Sequence, residues 1–245
     1  MEFLSSNFAL VMAFLMTNYI VGASAAALLQ NETEAMLALR DTLSIETQVW
    51  PDGIRPCEWP GVACHGYHVT TINLFGLRTE SHTVLAALDP LEQLPRLRLF
   101  NASGFPLRTI PAKIGRLGSL EALDLQNSTS GGRIPQTLGD LANLRTLRLS
   151  RNNLSGQIPG ELGRLVRIVF LDLSNNNLTG PFPEFFLNFS RLVSLNLLGN
   201  SFSGRIPLTI GKLSTLQHFS VGSNPFRGRN TVRSLVPDQH NSSGS

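Results

Sequence analysis

Apolar residues recur along the chain at a fixed step rather than in one long run. Pairs separated by a single residue stand at Leu123/Leu125, Leu147/Leu149, Leu171/Leu173, Leu195/Leu197 and Phe219/Val221, each displaced from the last by 24. Leu120, Leu144, Ile168, Leu192 and Leu216 precede them by three. Prolines at 111, 135, 159, 183 and 207 keep the same step, and each follows Ile or Phe: Ile110, Ile134, Ile158, Phe182 and Ile206. Asn152, Asn176, Asn200 and Asn224 complete the unit. A self-similar step of this length marks a repeat architecture.

Each part of the unit has a physical reading. Alternation with period two turns both members of a pair to one face of a short strand. The following Asn leaves the strand, and its amide can bond backbone groups of neighbouring coils, so stacked Asn side chains form a satisfied buried ladder. The Gly-x-Ile-Pro segment carries the chain across with Ile inward and Pro where no donor is required. Leu138, Leu162, Phe186 and Ile210, then Leu141, Leu165, Phe189 and Leu213, supply the returning convex side. One unit cannot bury its own apolar face, whereas a stack can. The expectation is an α/β repeat: a curved solenoid with a concave parallel sheet and about seven 24-residue coils over 67–228. The first coil, near Val69–Leu77, is irregular, and the second reads as 26 residues between Leu97 and Leu123. Ser128 stands where the third coil would carry its ladder Asn, and Ser130 where it would carry Leu.

The ends differ from the array. Residues 1–25 hold an apolar run from Phe8 to Met16 followed by Ala23-Ser24-Ala25, the pattern of a secretory signal peptide cut after Ala25. Glu2 is the only charged residue there, so a positive n-region is missing. A signal anchor is the rival, which Thr17-Asn18-Tyr19 interrupts. No later segment resembles a membrane span; the stretch from Val166 to Leu173 is broken by Arg167 and Asp172. The two cysteines, Cys57 and Cys64, suit one disulfide in an oxidising compartment. Zinc on these thiols with His65 and His68 is the alternative, at a spacing wider than zinc knuckles use. A polar tail occupies 229–245. Arg229 and Arg233 there continue a basic run from Arg227, read as solvated, with acidic wall polysaccharide as a second reading.

The Leu-x-Gly-x-Ile-Pro unit resembles the plant-specific class of leucine-rich repeat, found in ectodomains of receptor-like kinases, in receptor-like proteins and in polygalacturonase-inhibiting proteins. The segment Glu34-Ala35-Met36-Leu37-Ala38-Leu39-Arg40-Asp41, then Trp50, then Cys57-Glu58-Trp59-Pro60-Gly61-Val62-Ala63-Cys64, is similar to the N-terminal cap of those proteins. The resemblance implies a helical cap over 26–66, stapled by a disulfide and covering the open apolar end of the first coil. It also implies a protein or peptide ligand, with a co-receptor among the candidate partners. The protein would be secreted to the apoplast or wall, or would stand at the plasma membrane as part of a longer receptor. The leading expectation is a shortened receptor-like ectodomain in plant signalling or defence; the alternative is a free wall inhibitor of a microbial enzyme.

Strand positions between the core leucines face the concave side, and from them Arg96, Arg98, Phe100, Asp124, Arg148, Phe170 and Asp172 are the candidate partner contacts. Aromatic and Arg side chains are the types that dominate interface energetics. Sequons stand at Asn31, Asn101, Asn127, Asn153, Asn177, Asn188 and Asn241. Glycans there are expected to stack along one edge at Asn153 and Asn177 and to leave the concave face clear. Asp124 and Asp172 could be read as a glycosidase pair, but they lie two coils apart, and no nucleophile elbow, zinc-protease or kinase motif is present. No enzyme activity, cofactor or metal is expected. The net charge of +3, with no aromatic-plus-basic block, does not indicate nucleic acid.

Overall fold

The computed structural model describes residues 30–77 and 88–227. The signal-peptide segment, Asn241 and the 229–245 tail lie outside them. The first element of the described residues is helix α1 (30–42). An antiparallel hairpin follows, β1 (Val62–His65) with β2 (His68–Asn73). From β2 onward the chain coils, and each coil contributes one strand to a sheet: β3 (Leu99–Asn101), β4 (Ala122–Asp124), β6 (Thr146–Arg148), β8 (Phe170–Asp172), β10 (Ser194–Asn196) and β12 (His218–Ser220). The eight strands run in the order β1-β2-β3-β4-β6-β8-β10-β12, and every pairing from β2 onward is parallel. These seven parallel strands make up the expected solenoid of seven coils.

The Asn ladder joins the coils. Asn176 Nδ2 donates to the carbonyl of Leu173 in its own coil (3.1 Å) and of Leu149 in the coil before (2.9 Å), while its Oδ1 accepts the N–H of Leu154 (3.0 Å). Asn152, Asn200 and Asn224 repeat the scheme. Where Ser128 replaces Asn, its Oγ donates to Ala102 O at 2.9 Å, and Asn152 Oδ1 takes the N–H groups of both Ser128 and Ser130. A shorter side chain thus still bridges two coils.

Just past the ladder the backbone is extended, and successive coils pair again. This gives a second parallel sheet of four strands: β5 (Gly131–Gly132), β7 (Asn153–Gly156), β9 (Asn177–Pro181) and β11 (Ser201–Ser203). The sequence pattern read this stretch only as a crossing turn. It pairs because coils held in register by the ladder bring equivalent N–H and C=O groups to strand spacing.

The convex side returns through short 3-10 turns, among them Ala112–Arg116, Gln136–Asp140, Gly160–Arg164 and Glu184–Asn188. They stack closely. A Cβ on Gly115 would stand 2.2 Å from the Thr137 carbonyl oxygen, and one on Gly139 would stand 2.2 Å from that of Glu161. Glycine is required there by contact between coils. The core between the layers is continuous, running from Met36 and Leu39 in α1 to Ile210 in the last coil.

The cap closes one end of this core. Trp50 is fully buried, stacks on Trp59 with ring centroids 5.0 Å apart, and donates from Nε1 to Pro60 O at 2.9 Å. Arg40, also buried, donates to Trp50 O and to Asp52 Oδ1 (2.7 Å), and the Asp52 hydrogen bond holds its guanidinium above the usual arginine range. Glu32 ties α1 to β2: its Oε2 accepts the Val69 N–H at 2.9 Å and its Oε1 faces His68 Nδ1 at 2.8 Å. Cys57 and Cys64 are joined as a disulfide. Their sulfurs are therefore committed to each other, and His68 to Glu32, which removes the zinc alternative.

The second coil is a correction. Phe100 pairs with Leu123, not Leu97 with Leu123, so the repeat spans 23 residues rather than 26, the same separation that joins Arg98 to Glu121. Phe100 has no exposed surface and fills the slot of the first core leucine of the pair, with Ala102 in the second. The apolar pair Leu97/Leu99 imitates the strand signature but starts three residues early: Leu97 is buried in the slot that Leu120 fills in the next coil, and Leu99 is only half-buried. Because side chains alternate along a strand, an odd shift exchanges inside for outside.

Candidate recognition surface

The sequence-derived contacts divide into three groups. Phe100 belongs to the core and offers nothing to a partner. Arg96 and Arg98 precede β3 and stand on the flank of the solenoid rather than on the concave sheet. Both are exposed, and Arg98 donates to Glu121 through Nε at 2.8 Å. They line a shallow recess of about 320 Å³ with His65, Thr70, Ser119, Glu121 and Asn143.

Asp124, Arg148, Asp172 and Phe170 do come together on the concave face. Parallel pairing sets Asp124 beside Arg148 and Arg148 beside Asp172, in one row across β4, β6 and β8. Phe170 lies two residues before Asp172, 42% exposed. Arg148 reaches Asp124 at 3.5 Å with its side chain half exposed. The two carboxylates have a structural duty as well. Asp124 Oδ1 accepts the Gln126 N–H, and Asp172 Oδ1 accepts both the N–H and the hydroxyl of Ser174. Asn73, Asn101 and Asn196 close their strands in the same way. Asp124 and Asp172 are therefore members of a column of strand-ending turns, and only part of each carboxylate faces outward.

Beyond this column runs a groove of about 530 Å³ crossing the coils from Phe75 to Leu198. Its walls include Ser103, Gln126, Ser150, Asp172, Ser174 and Asn196 from the strand side. Asn127, Arg151 and Asn175 line the other side, all at positive φ (53°, 56° and 53°). Ser103, Ser150 and Ser174 are buried, so small side chains form the bottom. Phe75 and Leu198 stand exposed at the ends. Asn127, Arg151 and Asn175 are not among the contacts expected from the strand positions. Their signal was the residue just before each ladder position, where a left-handed turn favours Asn.

The sequons do not all keep to one edge. Asn153 and Asn177 open β7 and β9 and are exposed, with Asn177 paired to Ser155, two residues beyond Asn153; Asn31 lies on α1 and Asn188 on a convex turn, both exposed. Asn101, however, is a concave strand residue, and Asn127 lines the groove. The expectation that glycans would leave the concave face clear is corrected for these two: a glycan at either would stand on or beside it. Asn101 sits here because the second coil is 23 residues long, which the misread register concealed.

Among the described residues no group of His, Cys, Asp or Glu could hold a metal ion, and no helix is long and apolar enough to cross a membrane.

Comparison with known proteins gives consistent results. Residues 119–178 match the family described as Leucine rich repeat, and residues 191–213 match a second leucine-rich-repeat family. A protein of Arabidopsis thaliana described as a probable LRR receptor-like serine/threonine-protein kinase is 40% identical over 108 residues, which is 42% of this chain and 12% of that protein. The crystal structure of PEPR1–AtPEP1 superposes with a TM-score of 0.71 at 30% identity, over 80% of this chain and 28% of that one. The ectodomain of the Arabidopsis receptor kinase HAESA, in complex with an IDA peptide hormone ligand, superposes with a TM-score of 0.56 at 25% identity, over 81% and 42% respectively. The chain thus spans about an eighth of the curated relative and under half of each of these two solved chains.

Proposed function

We propose that this chain, a solenoid of plant-type leucine-rich repeats, is an extracellular recognition module that binds a peptide or protein partner along its concave face. The observation that carries this reading is the groove from Phe75 to Leu198, continuous across the coils and floored by small buried serines. A floor of Ser103, Ser150 and Ser174 admits a backbone close to the sheet, while the exposed Phe170 and Arg148 beside it are side chains suited to anchoring. The surface is preformed, because its strands and turns are held by the ladder and by the Asx turns. Binding therefore spends little ordering entropy. Similarity to ectodomains solved with bound partners, including one with a peptide hormone ligand, supports the same reading.

Export through a signal peptide at 1–25, a cap over 26–66 and an array over 67–228 accord with this role. So does a place as the recognition part of a receptor in signalling or defence.

The test is a screen of synthetic secreted-type peptides against the immobilised full chain. A true ligand should lose about tenfold or more in affinity, or roughly 1.4 kcal/mol, when Phe170 and Arg148 are both changed to Ala. It should be indifferent to Val166→Ala on the flank. Ligands that ignore the double substitution would remove the concave face from the proposal.

A further inference from the structure

Charge is divided unevenly along the molecule. Residues 26–93 carry three basic and nine acidic side chains, whereas residues 94–227 carry fifteen basic and six acidic. The cap and first coil are therefore formally −6 and the rest of the array +9, a separation hidden by the chain's overall +3.

Part of that excess is gathered on one flank, where the chain leaves the convex turn and enters the concave strand. The residues on either side of the first core position of each coil form two columns there. Arg96, Arg167 and Arg191 stand in the first, Arg98 and Arg145 in the second, all exposed, and Glu121 is the only acidic residue in either. Glu121 is occupied by Arg98 and lies 3.8 Å from Arg145. Arg167 donates to Asn143 Oδ1 at 2.6 Å, a neutral acceptor that aims the guanidinium without neutralising it. Among the described residues neither Arg96 nor Arg191 meets a carboxylate, while Arg98, Arg145, Arg148 and Arg164 do.

This flank is rigid. Ser119 Oγ donates to Pro95 O, Asn143 Nδ2 to Gly118 O and Thr215 Oγ1 to Leu192 O, each at 2.8 Å and each reaching back one coil. The cations therefore stand on a fixed lattice whose step is the spacing of neighbouring strands, about 4.8 Å. Between them lie hydroxyls, amides and the exposed Val166, together with the polar recess at Arg96. No exposed aromatic ring stands in either column for a base to stack on, which disfavours single-stranded nucleic acid.

We propose that this arginine flank binds a linear acidic polysaccharide of the polyuronate type. The polymer runs across the coils with carboxylates against Arg96, Arg145, Arg167 and Arg191, passing over the third coil, where Ser119 and Glu121 stand. A polymer with one carboxylate on each sugar suits a surface with exposed cations in the second, fourth, fifth and sixth coils. The ring hydroxyls meet Ser119, Asn143 and Thr70. Charge complementarity of this kind concentrates a polyanion on the surface and is weakened by salt. The site is separate from the concave groove and does not depend on it.

The experiment is retention of the full chain on soluble polygalacturonate, against the same polymer fully methyl-esterified and against double-stranded DNA, over a salt series. Binding to the free acid and not to the ester is expected. Arg167→Gln with Arg191→Gln should weaken it about tenfold and lower the slope of log affinity against log salt by about two. Arg133→Gln with Arg205→Gln, two exposed arginines on the opposite flank, should leave it unchanged. Equal retention on the ester, equal loss from both pairs of substitutions, or tighter binding to DNA than to polygalacturonate would each overturn the proposal. All four positions are exposed, so unchanged thermal unfolding of the variants confirms that folding is not the cause.

Discussion

At Asn176 three backbone groups in three chain segments depend on one side-chain amide: the carbonyls of Leu149 and Leu173 and the N–H of Leu154. Removing a partner from a buried backbone group costs about 1–3 kcal/mol. Asn176→Ala is therefore expected to destabilise the chain by at least that much, a fall in the denaturant midpoint with little change in slope. Phe100 and Arg98 make a sharper comparison, since both were candidates for the same binding role. Phe100→Ala empties a fully buried site and should cost roughly 3–5 kcal/mol. Arg98→Ala removes an exposed ion pair and should cost no more than ~1 kcal/mol. Equilibrium unfolding of the two variants measures the difference, and similar losses would contradict the register described for the second coil.

Among the elements, the convex turns are the most demanding of residue type. Gly139 lies in the turn Gln136–Asp140, and the next turn, Gly160–Arg164, packs against it so closely that a methyl group meets the Glu161 carbonyl. Either the turns separate or the coil spacing opens. Gly139→Ala is expected to lower the unfolding temperature, whereas Gly160→Ala, with nothing within 4 Å of the new methyl, should leave it nearly unchanged. The cap is the other specialised element. The Glu32 contacts tie α1 to β2, and the Trp50–Trp59 stack and the buried Arg40 hold the segment between them, none of these through the disulfide. Reduction of Cys57–Cys64 should then cost roughly 2–3 kcal/mol by the loop-entropy argument. Amide exchange in β1 and β2 should accelerate before that in β6, because coils of a solenoid contact only their neighbours.

At the scale of the whole molecule, one scaffold presents two surfaces of different chemistry. The concave face offers a groove with a small-residue floor and a few aromatic and charged anchors, suited to a partner read by shape. The flank offers spaced guanidinium groups, suited to a partner read by charge. Both rest on the same device, a ladder that holds equivalent residues of successive coils in line. Salt should separate them: raising ionic strength is expected to weaken a polyanion on the flank far more than a peptide in the groove.

Periodicity alone determined that the chain coils, how many coils there are, which leucines meet and that Asn side chains join them. Those facts follow from the step of 24, and a repeated local pattern carries its own structural consequence wherever neighbours are alike. Periodicity decides less where neighbours are unlike. In the second coil Phe100 and Ala102 replace the leucine pair, and Leu97 and Leu99 copy its spacing out of phase, so only cross-strand pairing with Leu123 decides which side chain is buried. The same pairing put Asn101 on the concave face and moved Arg96 and Arg98 to the flank. Likewise the part-time structural role of Asp124 and Asp172, the second sheet and the glycines of the convex turns depend on groups a full coil apart in sequence. Composition along the chain supplied the charges. Which of them stand together, unneutralised and on one side, was settled only when the coils were stacked, since a column exists only across a stack.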